Sequence, residues 1–254
     1  MKQSNVDVLI VGAGPAGLAA AIALKKSGIT KVRVVERESY AGGIPRHSHH
    51  IGYGIRDLKR FISGPKYADS YVKKAKSIGV EISTNTTATN WISDYTLQLT
   101  SPNGIEEVSA KSILLATGAR ERSRSNRLIA GKRPAGIYTT GSLQQATYLD
   151  KLNIGTKAVI VGAEHVSFSA IITLRHAKVK TVAMITTHPK HQTLPLIPTL
   201  LKLIYRFKFI TGVKIIEVLG DKSVTGIRIE KDGKELVIAA DTIVFTGDWI
   251  PDHE

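Results

Sequence analysis

The sequence predicts an α/β protein with two Rossmann-like dinucleotide-binding domains, each three-layered, with a parallel central sheet and a β-meander. Two stretches predict it. Residues 6–17, VDVLIVGAGPAG, run from an apolar strand into the pattern G-x-G-x-x-G and on into a helix. Residues 157–170, KAVIVGAEHVSFSA, repeat the same plan with only the first glycine kept. A strand that feeds a glycine turn and then a helix is the opening of a βαβ unit.

Val6 to Val11 is nearly all apolar, as a strand buried on both faces of a parallel sheet must be. Gly12 permits the tight turn, Gly14 lets a pyrophosphate approach the main chain, and Gly17 lets the helix close on the strand. The helix, from Pro15 to about Ser27, turns its N-terminal N–H groups and positive dipole end toward the phosphates. Gly28 ends it. The next strand, KVRVVER, carries Glu36 at its end, where a carboxylate can hold a ribose diol. GPKYADSYVKKAKSIG has helical spacing through Tyr67, Tyr71, Val72, Ala75 and Ile78, and Gly79 stops it. VEISTNTTATNW, TLQLTS and EEVSAKSILLAT read as strands, with SPNG as a turn between two of them.

In the second half KAVIVGA is a strand, VSFSAIITLRHA a helix and KTVAMIT a strand. VKIIEVLG and VTGIRIEKDGKELVIAADTIVF pair as strands, with the hairpin turn at EKDGKE. LPLIPTLLKLIYRFKF, residues 194–209, reads as a helix buried through Leu200, Leu201, Ile204 and Phe207. Its Lys202, Arg206 and Lys208 make a partner protein or a membrane surface the alternative contact.

The chain has 254 residues, 43% hydrophobic and 22% charged, and no cysteine. That excludes disulfides, thiolate metal sites and a Cys-x-x-Cys pair from these residues. No metal site is expected. No apolar run reaches the ~20 residues of a membrane span and no signal peptide fits the N-terminus, so a cytoplasmic enzyme without membrane association is expected. The net charge of +14 has one dense cluster, ARERSRSNRLIAGKR at 119–133. It comes with no nucleic-acid motif. A solvated face or an anionic-ligand surface is expected there, and no nucleic-acid partner.

These features resemble the flavin-dependent members of the pyridine nucleotide–disulfide oxidoreductase superfamily. Three further stretches carry the resemblance: YAGGIPRH after Glu36, SILLATGAR at 112–120 and DTIVFTGDW at 241–249. It covers the whole chain and implies FAD, rather than NAD, at the first loop. Gly12, Ala13, Gly14, Pro15 and Ala16 would then wrap the FAD pyrophosphate, with Gly17 behind them. Glu36 would hold the adenosine ribose and Arg37 would lie beside the adenine. Gly43 and Ile44 would follow the ribityl chain and flavin, and the main chain near Thr87 and Ala88 would meet the adenine. Ala116, Thr117 and Gly118 would close over the cofactor. The resemblance also implies an FAD half-domain at 1–125, an inserted NAD(P)-type domain with a degenerate loop at 126–247, and a truncated return to the FAD domain at 248–254. The C-terminal FAD segment and its flavin-side Asp are expected to be missing, and Asp248 is not that Asp.

The second loop carries Glu164 where a glycine belongs. A β-carbon there blocks the close approach of pyrophosphate, and a carboxylate repels it. Glu164 is expected to point outward and cap the helix N-terminus, worth ~0.3–1 kcal/mol. Ile171 and Lys178 stand where small residues are expected, and ITTHPKH ends the next strand with no acid for a ribose. NAD(P) is therefore not expected to bind here. His188, Lys190 and His191 remain candidates for another anion.

Without cysteines, the chain resembles the subgroup containing subunits of dye-linked proline dehydrogenase, opine oxidase and hydrogen cyanide synthase. That implies an FAD-dependent dehydrogenase or oxidase, not a disulfide reductase. The substrate would be an amino acid or amine oxidised at its C–N bond, with electrons leaving to a non-NAD acceptor or a partner subunit. Arg46, His47 and His49 are the candidate catalytic residues, with His50 beside them. Arg46 would stabilise anionic reduced flavin, and a histidine would accept a substrate proton. The alternatives are a non-catalytic nucleotide-binding subunit of a hetero-oligomeric dehydrogenase and an NAD(P)H-dependent flavin reductase.

Overall fold

A computed structural model describes residues 2–193 and 203–252. The chain divides into two compact units, Met1–Ala119 with Pro251–Glu254, and Arg120–Ile250.

In the first unit the strands and helices run β1 (Lys2–Val11), α1 (Pro15–Lys26), β2 (Val32–Val35), a 3-10 turn (Ile44–His47), β3 (Ile51–Tyr53), β4 (Ile62–Ser63), α2 (Gly64–Ser77), β5 (Glu81–Ser83), β6 (Thr87–Ser93), β7 (Thr96–Ser101) and β8 (Gly104–Leu115). They build a six-stranded sheet in the order β5-β2-β1-β8-β7-β6. The pairs β5–β2, β2–β1 and β1–β8 are parallel, and β8–β7 and β7–β6 antiparallel. The near-continuous apolar run of β1 is explained by its two covered faces. Ile10 packs with Leu18, Ala21 and Ala75 of the helices, while its neighbour Leu9 packs with Leu97, Leu99 and Val108 of the meander. Arg33, buried in β2, makes a two-pronged ion pair with Glu106 of β8 and a further one with Glu81 of β5. The guanidinium holds the Glu106 carboxyl far below its usual range, at about 2.

The second unit contains β9 (Ala119–Glu121), β10 (Ile137–Thr139), α3 (Thr140–Gln144), β11 (Lys157–Val161), α4 (His165–His176), β12 (Lys180–Ile185), β13 (Lys208–Ile210), β14 (Lys214–Gly220), β15 (Val224–Lys231), β16 (Lys234–Ala239), β17 (Thr242–Phe245) and β18 (Trp249–Pro251). Five strands form an all-parallel sheet, β10-β17-β11-β12-β13. Helix α4 covers one face through Phe168, Ile171 and Leu174, which pack with Ile160, Met184 and Val244. The antiparallel β14-β15-β16 ribbon covers the other through Val218, Ile227 and Ile229, against Val159, Val161 and Ile185. Each unit is thus helices, sheet and meander, the three-layer α/β architecture that the sequence predicts. The β15–β16 hairpin turns at Asp232 and Gly233, both at positive φ, as a tight hairpin of this hand requires.

The basic cluster at 119–133 is partly internal. The buried guanidinium of Arg124 donates to the carbonyls of Ile129, Lys132, Ala130 and Gly131, and so organises the loop it belongs to. Arg127 donates to the carbonyls of Thr246 and Gly247 and pairs with Asp248 at 2.9 Å. The solvated or ligand-facing surface expected for this cluster does not extend to these two arginines. Carbonyl-rich turns draw them inward instead, because each unpaired buried carbonyl would cost free energy. Most of the helix expected at 194–209 lies outside the described residues. Its described end is helical only through Tyr205: Phe207 is buried but precedes β13, which takes Lys208 and Phe209, and Ile204 is half-exposed. Among the described residues no helix is long and apolar enough to cross a membrane.

Candidate functional site

The first glycine loop shows a separate physical reason for each glycine. Gly12 has φ +107°, and a β-carbon there would overlap the carbonyl of Ala116. A β-carbon on Gly17 would overlap the carbonyl of Gly12 and crowd Ile10, so this glycine sets how closely α1 approaches β1. Gly14 differs from both. Its φ of −75° suits any residue, and the nearest atom to an added β-carbon, Gly43 Cα, is 4.0 Å away. Neither the fold's backbone nor its packing demands glycine at 14. That leaves a cradle which a methyl group would fill, at the N-terminus of a twelve-residue helix with no side-chain cap.

Neighbouring segments converge on this loop. The Glu36 carboxylate is buried and accepts from the Ala13 N–H through Oε2 and the Glu38 N–H through Oε1, both at 3.0 Å. An ionised carboxylate has about four acceptor sites, so these two bonds leave capacity for a diol. The Gly42 N–H donates to the Ala13 carbonyl at 2.8 Å, which seats Gly43 against the loop; a β-carbon on Gly43 would stand 2.9 Å from Gly14 Cα. The Thr86 N–H donates to the Glu36 carbonyl, bringing the start of β6, with Thr87 and Ala88, to the same strand end. Ala116 N–H donates to the Val11 carbonyl, so the segment Ala116, Thr117, Gly118 leaves β8 beside the glycine turn. Pro15 and Ala16 open α1. Arg37 is exposed and lies 3.7 Å from Asp252. Ile44 is exposed at the start of the 3-10 turn.

The three candidate catalytic side chains have different surroundings. Arg46 pairs with Glu38, lies over the Tyr40 ring, and leaves its Nε buried with no hydrogen-bond partner among the described residues. It lines a cleft of about 380 Å³ together with Tyr40, Val72, Lys76 and Thr84; no glycine-loop residue lines that cleft. His47 is buried and His49 exposed. His50 bonds the Ser48 hydroxyl through Nε2 and the Ile51 carbonyl through Nδ1, both at 2.9 Å.

In the second loop Glu164 does not point outward. Its carboxylate turns across the loop and accepts from Ser167 Oγ at 2.7 Å and Thr246 Oγ1 at 3.0 Å. Ser167 Oγ in turn accepts from the Glu164 N–H at 3.1 Å. A β-carbon on Gly247 would meet the Glu164 carboxyl carbon at 2.8 Å, and one on Gly162 would meet its Oε2 at 2.7 Å. The two hydroxyls, both buried and 2.6 Å from each other, draw the acid inward by offering it two donors at once. The space above the glycine turn is thus filled by protein. Lys178 takes the positive-φ position that follows α4, as Gly28 does after α1. His188, Lys190 and His191 are not drawn into one cluster by any hydrogen bond among them.

Glu121 joins the residues of interest only through the structure. Buried in the second unit, it accepts from the Gly141 N–H at 2.8 Å and the Gly247 N–H at 3.2 Å. Burial pushes its carboxyl up, against the pull of those amides. A Glu in a run of arginines reads as a solvated salt-bridge partner, so no sequence signal could have found it.

A profile of the pyridine nucleotide-disulphide oxidoreductases matches residues 6–247. Over 200 residues the chain is 28% identical to the glutamate synthase [NADPH] small chain of Bacillus subtilis, covering 74% of this chain and 36% of that one. It is 29% identical over 161 residues to an opine oxidase subunit of Rhizobium meliloti, covering 61% and 33%. The chain therefore spans about a third of the length of these curated relatives. Among solved structures, T. acidophilum thioredoxin reductase superposes with a TM-score of 0.78 at 22% identity, over 98% of this chain and 78% of that one. L-proline dehydrogenase from P. horikoshii superposes with a TM-score of 0.68 at 17% identity, over 99% and 43%. At those identities the superpositions speak for the fold.

Proposed function

The chain belongs to the pyridine nucleotide-disulphide oxidoreductase family, and from that premise we propose that it binds FAD in the first glycine loop and serves the oxidation of an amino acid or amine at its C–N bond, with an electron acceptor other than NAD(P). The observation that carries the cofactor reading is the open cradle at Gly14, beside an uncapped helix N-terminus and the Glu36 carboxylate. Gly12, Ala13, Gly14, Pro15 and Ala16 would wrap the pyrophosphate, with Gly14 and Ala16 supplying main-chain N–H groups, since the Ala13 N–H is committed to Glu36, the Gly12 N–H to Val35, and Pro15 has none. Glu36 would hold the ribose diol with its remaining acceptor sites. Gly43 and Ile44, with Ala116 to Gly118, would line the remainder, and Arg37 would flank the adenine. When bound, FAD would supply the two-electron acceptor. Arg46 and His47 or His49 are the chain's candidates for charge stabilisation and proton acceptance near it.

Two features favour the C–N-oxidising branch over a thiol–disulfide branch. The chain supplies no cysteine, and one of its relatives is named an opine oxidase subunit. Glu164 lying across the second loop favours an acceptor other than NAD(P). A second reading, a nucleotide-binding subunit whose partner carries the chemistry, draws support from the same opine oxidase name.

Anaerobic incubation of the FAD-loaded chain with a panel of amino acids, amines and NAD(P)H tests these readings. Bleaching of the flavin by an amino acid or amine, and not by NADH, is the expected result. Rapid bleaching by NADH would overturn the acceptor assignment. Saturable FAD binding with no reduction by any panel member would favour the subunit reading.

A further inference from the structure

Apart from the glycine loop, the first unit holds a carboxylate that no cation among the described residues pairs with. Asp57, exposed between β3 and β4, accepts at Oδ2 from Tyr71 at 2.5 Å and from Tyr67 at 2.8 Å. The two tyrosines stand one turn apart on α2. These hydrogen bonds, that of Tyr71 foremost, hold the Asp57 carboxyl below its usual range, and the backbone N–H groups of Asp57 and Leu58 assist. Every one of these donors is neutral. Arg56, Lys59 and Arg60 flank Asp57 in sequence, yet among the described residues none forms an ion pair with it.

A row of mutually tilted rings leads away from the two phenols that bond this carboxylate. The centroids of Tyr67 and Tyr71 are 5.1 Å apart, those of Tyr53 and Tyr67 5.5 Å, and those of His50 and Tyr53 5.4 Å. Burial, and then the bond to Asp57, pushes the Tyr67 phenol well up, so it stays a neutral donor with an electron-rich face. A purely apolar ligand would strand the carboxylate. A protonated amine carrying a hydrocarbon chain suits both parts. Its charge gains from the carboxylate and the ring faces, and its chain gains from the rings.

We propose that Asp57, with the ring faces of Tyr53, Tyr67 and Tyr71, is a docking site for the ammonium group of an organic amine. The site lies wholly within the first unit and does not rest on the FAD reading.

The test uses the full chain with its eight tyrosines labelled with ¹³C in the ring, their signals assigned by single Tyr→Phe variants. n-Butylammonium chloride is titrated in, with 1-butanol and potassium chloride as controls. The expected result is a saturable shift confined to the Tyr53, Tyr67 and Tyr71 signals, absent with either control and weakened about tenfold or more in Asp57→Asn. Equal shifts with 1-butanol, equal shifts in Asp57→Asn, or no saturable shift would each overturn the proposal and leave Asp57 as a strut between its loop and α2. Should Asp57→Asn not fold, the wild-type chain still decides: the shift must weaken as potassium chloride is raised, and a salt-independent shift overturns the site. Because the measurement reads binding without turnover, its failure is distinct from failure of the flavin chemistry.

Discussion

Alanine at Gly14 should leave the first unit folded and remove most of its affinity for FAD, whereas alanine at Gly12 should damage the fold itself. At Gly14 the backbone is ordinary, φ −75° and ψ −179°, and the added methyl has no neighbour nearer than 4.0 Å. The smaller freedom of the unfolded chain would stabilise the variant by about 0.4–1 kcal/mol, and alanine is a poorer N-cap than glycine by a similar amount. The net change in stability should stay within about 1 kcal/mol. The methyl nevertheless occupies the pyrophosphate cradle. Two or three main-chain hydrogen bonds lost at about 1 kcal/mol each weaken FAD binding on the order of a hundredfold. At Gly12 the φ of +107° is strained for alanine and the methyl overlaps the Ala116 carbonyl. The destabilisation there should be about 2–4 kcal/mol. Urea unfolding of the cofactor-free variants followed by circular dichroism, beside FAD titration by flavin fluorescence, separates the two effects. If Gly14→Ala unfolds as early as Gly12→Ala, or binds FAD as tightly as the parent, the cradle reasoning is wrong.

Glu164→Gly should empty the second loop and produce weak, saturable NADH binding, read by nicotinamide fluorescence, where the parent shows none; no gain in the variant would mean that the carboxylate is not what closes this loop. The first unit should lose stability in acid through Glu106. Its folded value, about 2, lies below its ordinary 4.5, so its contribution is full above that ordinary value and is lost as pH falls through the folded one. After allowance for solvent screening this is about 1–2 kcal/mol, and Glu106→Gln should flatten that limb of the pH–stability curve. Glu121 should act with the opposite sign. Its raised carboxyl gives stability that is present at low pH and lost as pH rises above the ordinary 4.5, so the gap between the parent and Glu121→Gln should change as pH rises from 4.5, and a constant gap would refute it. Arg124→Ala, which abandons four carbonyls, should cost about 2–4 kcal/mol by urea unfolding and Arg124→Lys nearly as much, since one ammonium cannot replace the planar fork.

The parts legible in the sequence are those in which one residue's local requirement fixes the structure. Positive φ at Gly12 and the backbone contact at Gly17 forbid any other residue, so the G-x-G-x-x-G pattern carries its own geometry. The buried strand β1 shows itself by apolar residues on both faces, and the β15–β16 hairpin by Asp232-Gly233. Gly14 is the informative exception: nothing in the fold requires it, and the proposed pyrophosphate is the demand that would account for it.

What stays illegible depends on partners distant in sequence. Glu164 reads as an outward cap because its local setting, a helix N-terminus, is enough to explain a carboxylate. Of the two hydroxyls that turn it inward, that of Ser167 is local, but that of Thr246 lies 82 positions away and reaches the loop only because β17 pairs with β11. Glu121 is similar, since its second amide comes from Gly247, 126 positions on. In sequence Asp57 is one charge among Arg56, Lys59 and Arg60, and only the packing of its loop on α2 gives it two phenols instead of a cation. In all three cases the side chain's electrostatic role is decided by which neutral donors the fold brings within hydrogen-bonding distance. Charge patterning along the chain reports net charge and cannot report that. The same physics separates the two glycine loops: where the first keeps a cradle free of side chains, the second has a carboxylate held in place by Ser167 and Thr246, so a nucleotide entering there must first break both of those bonds.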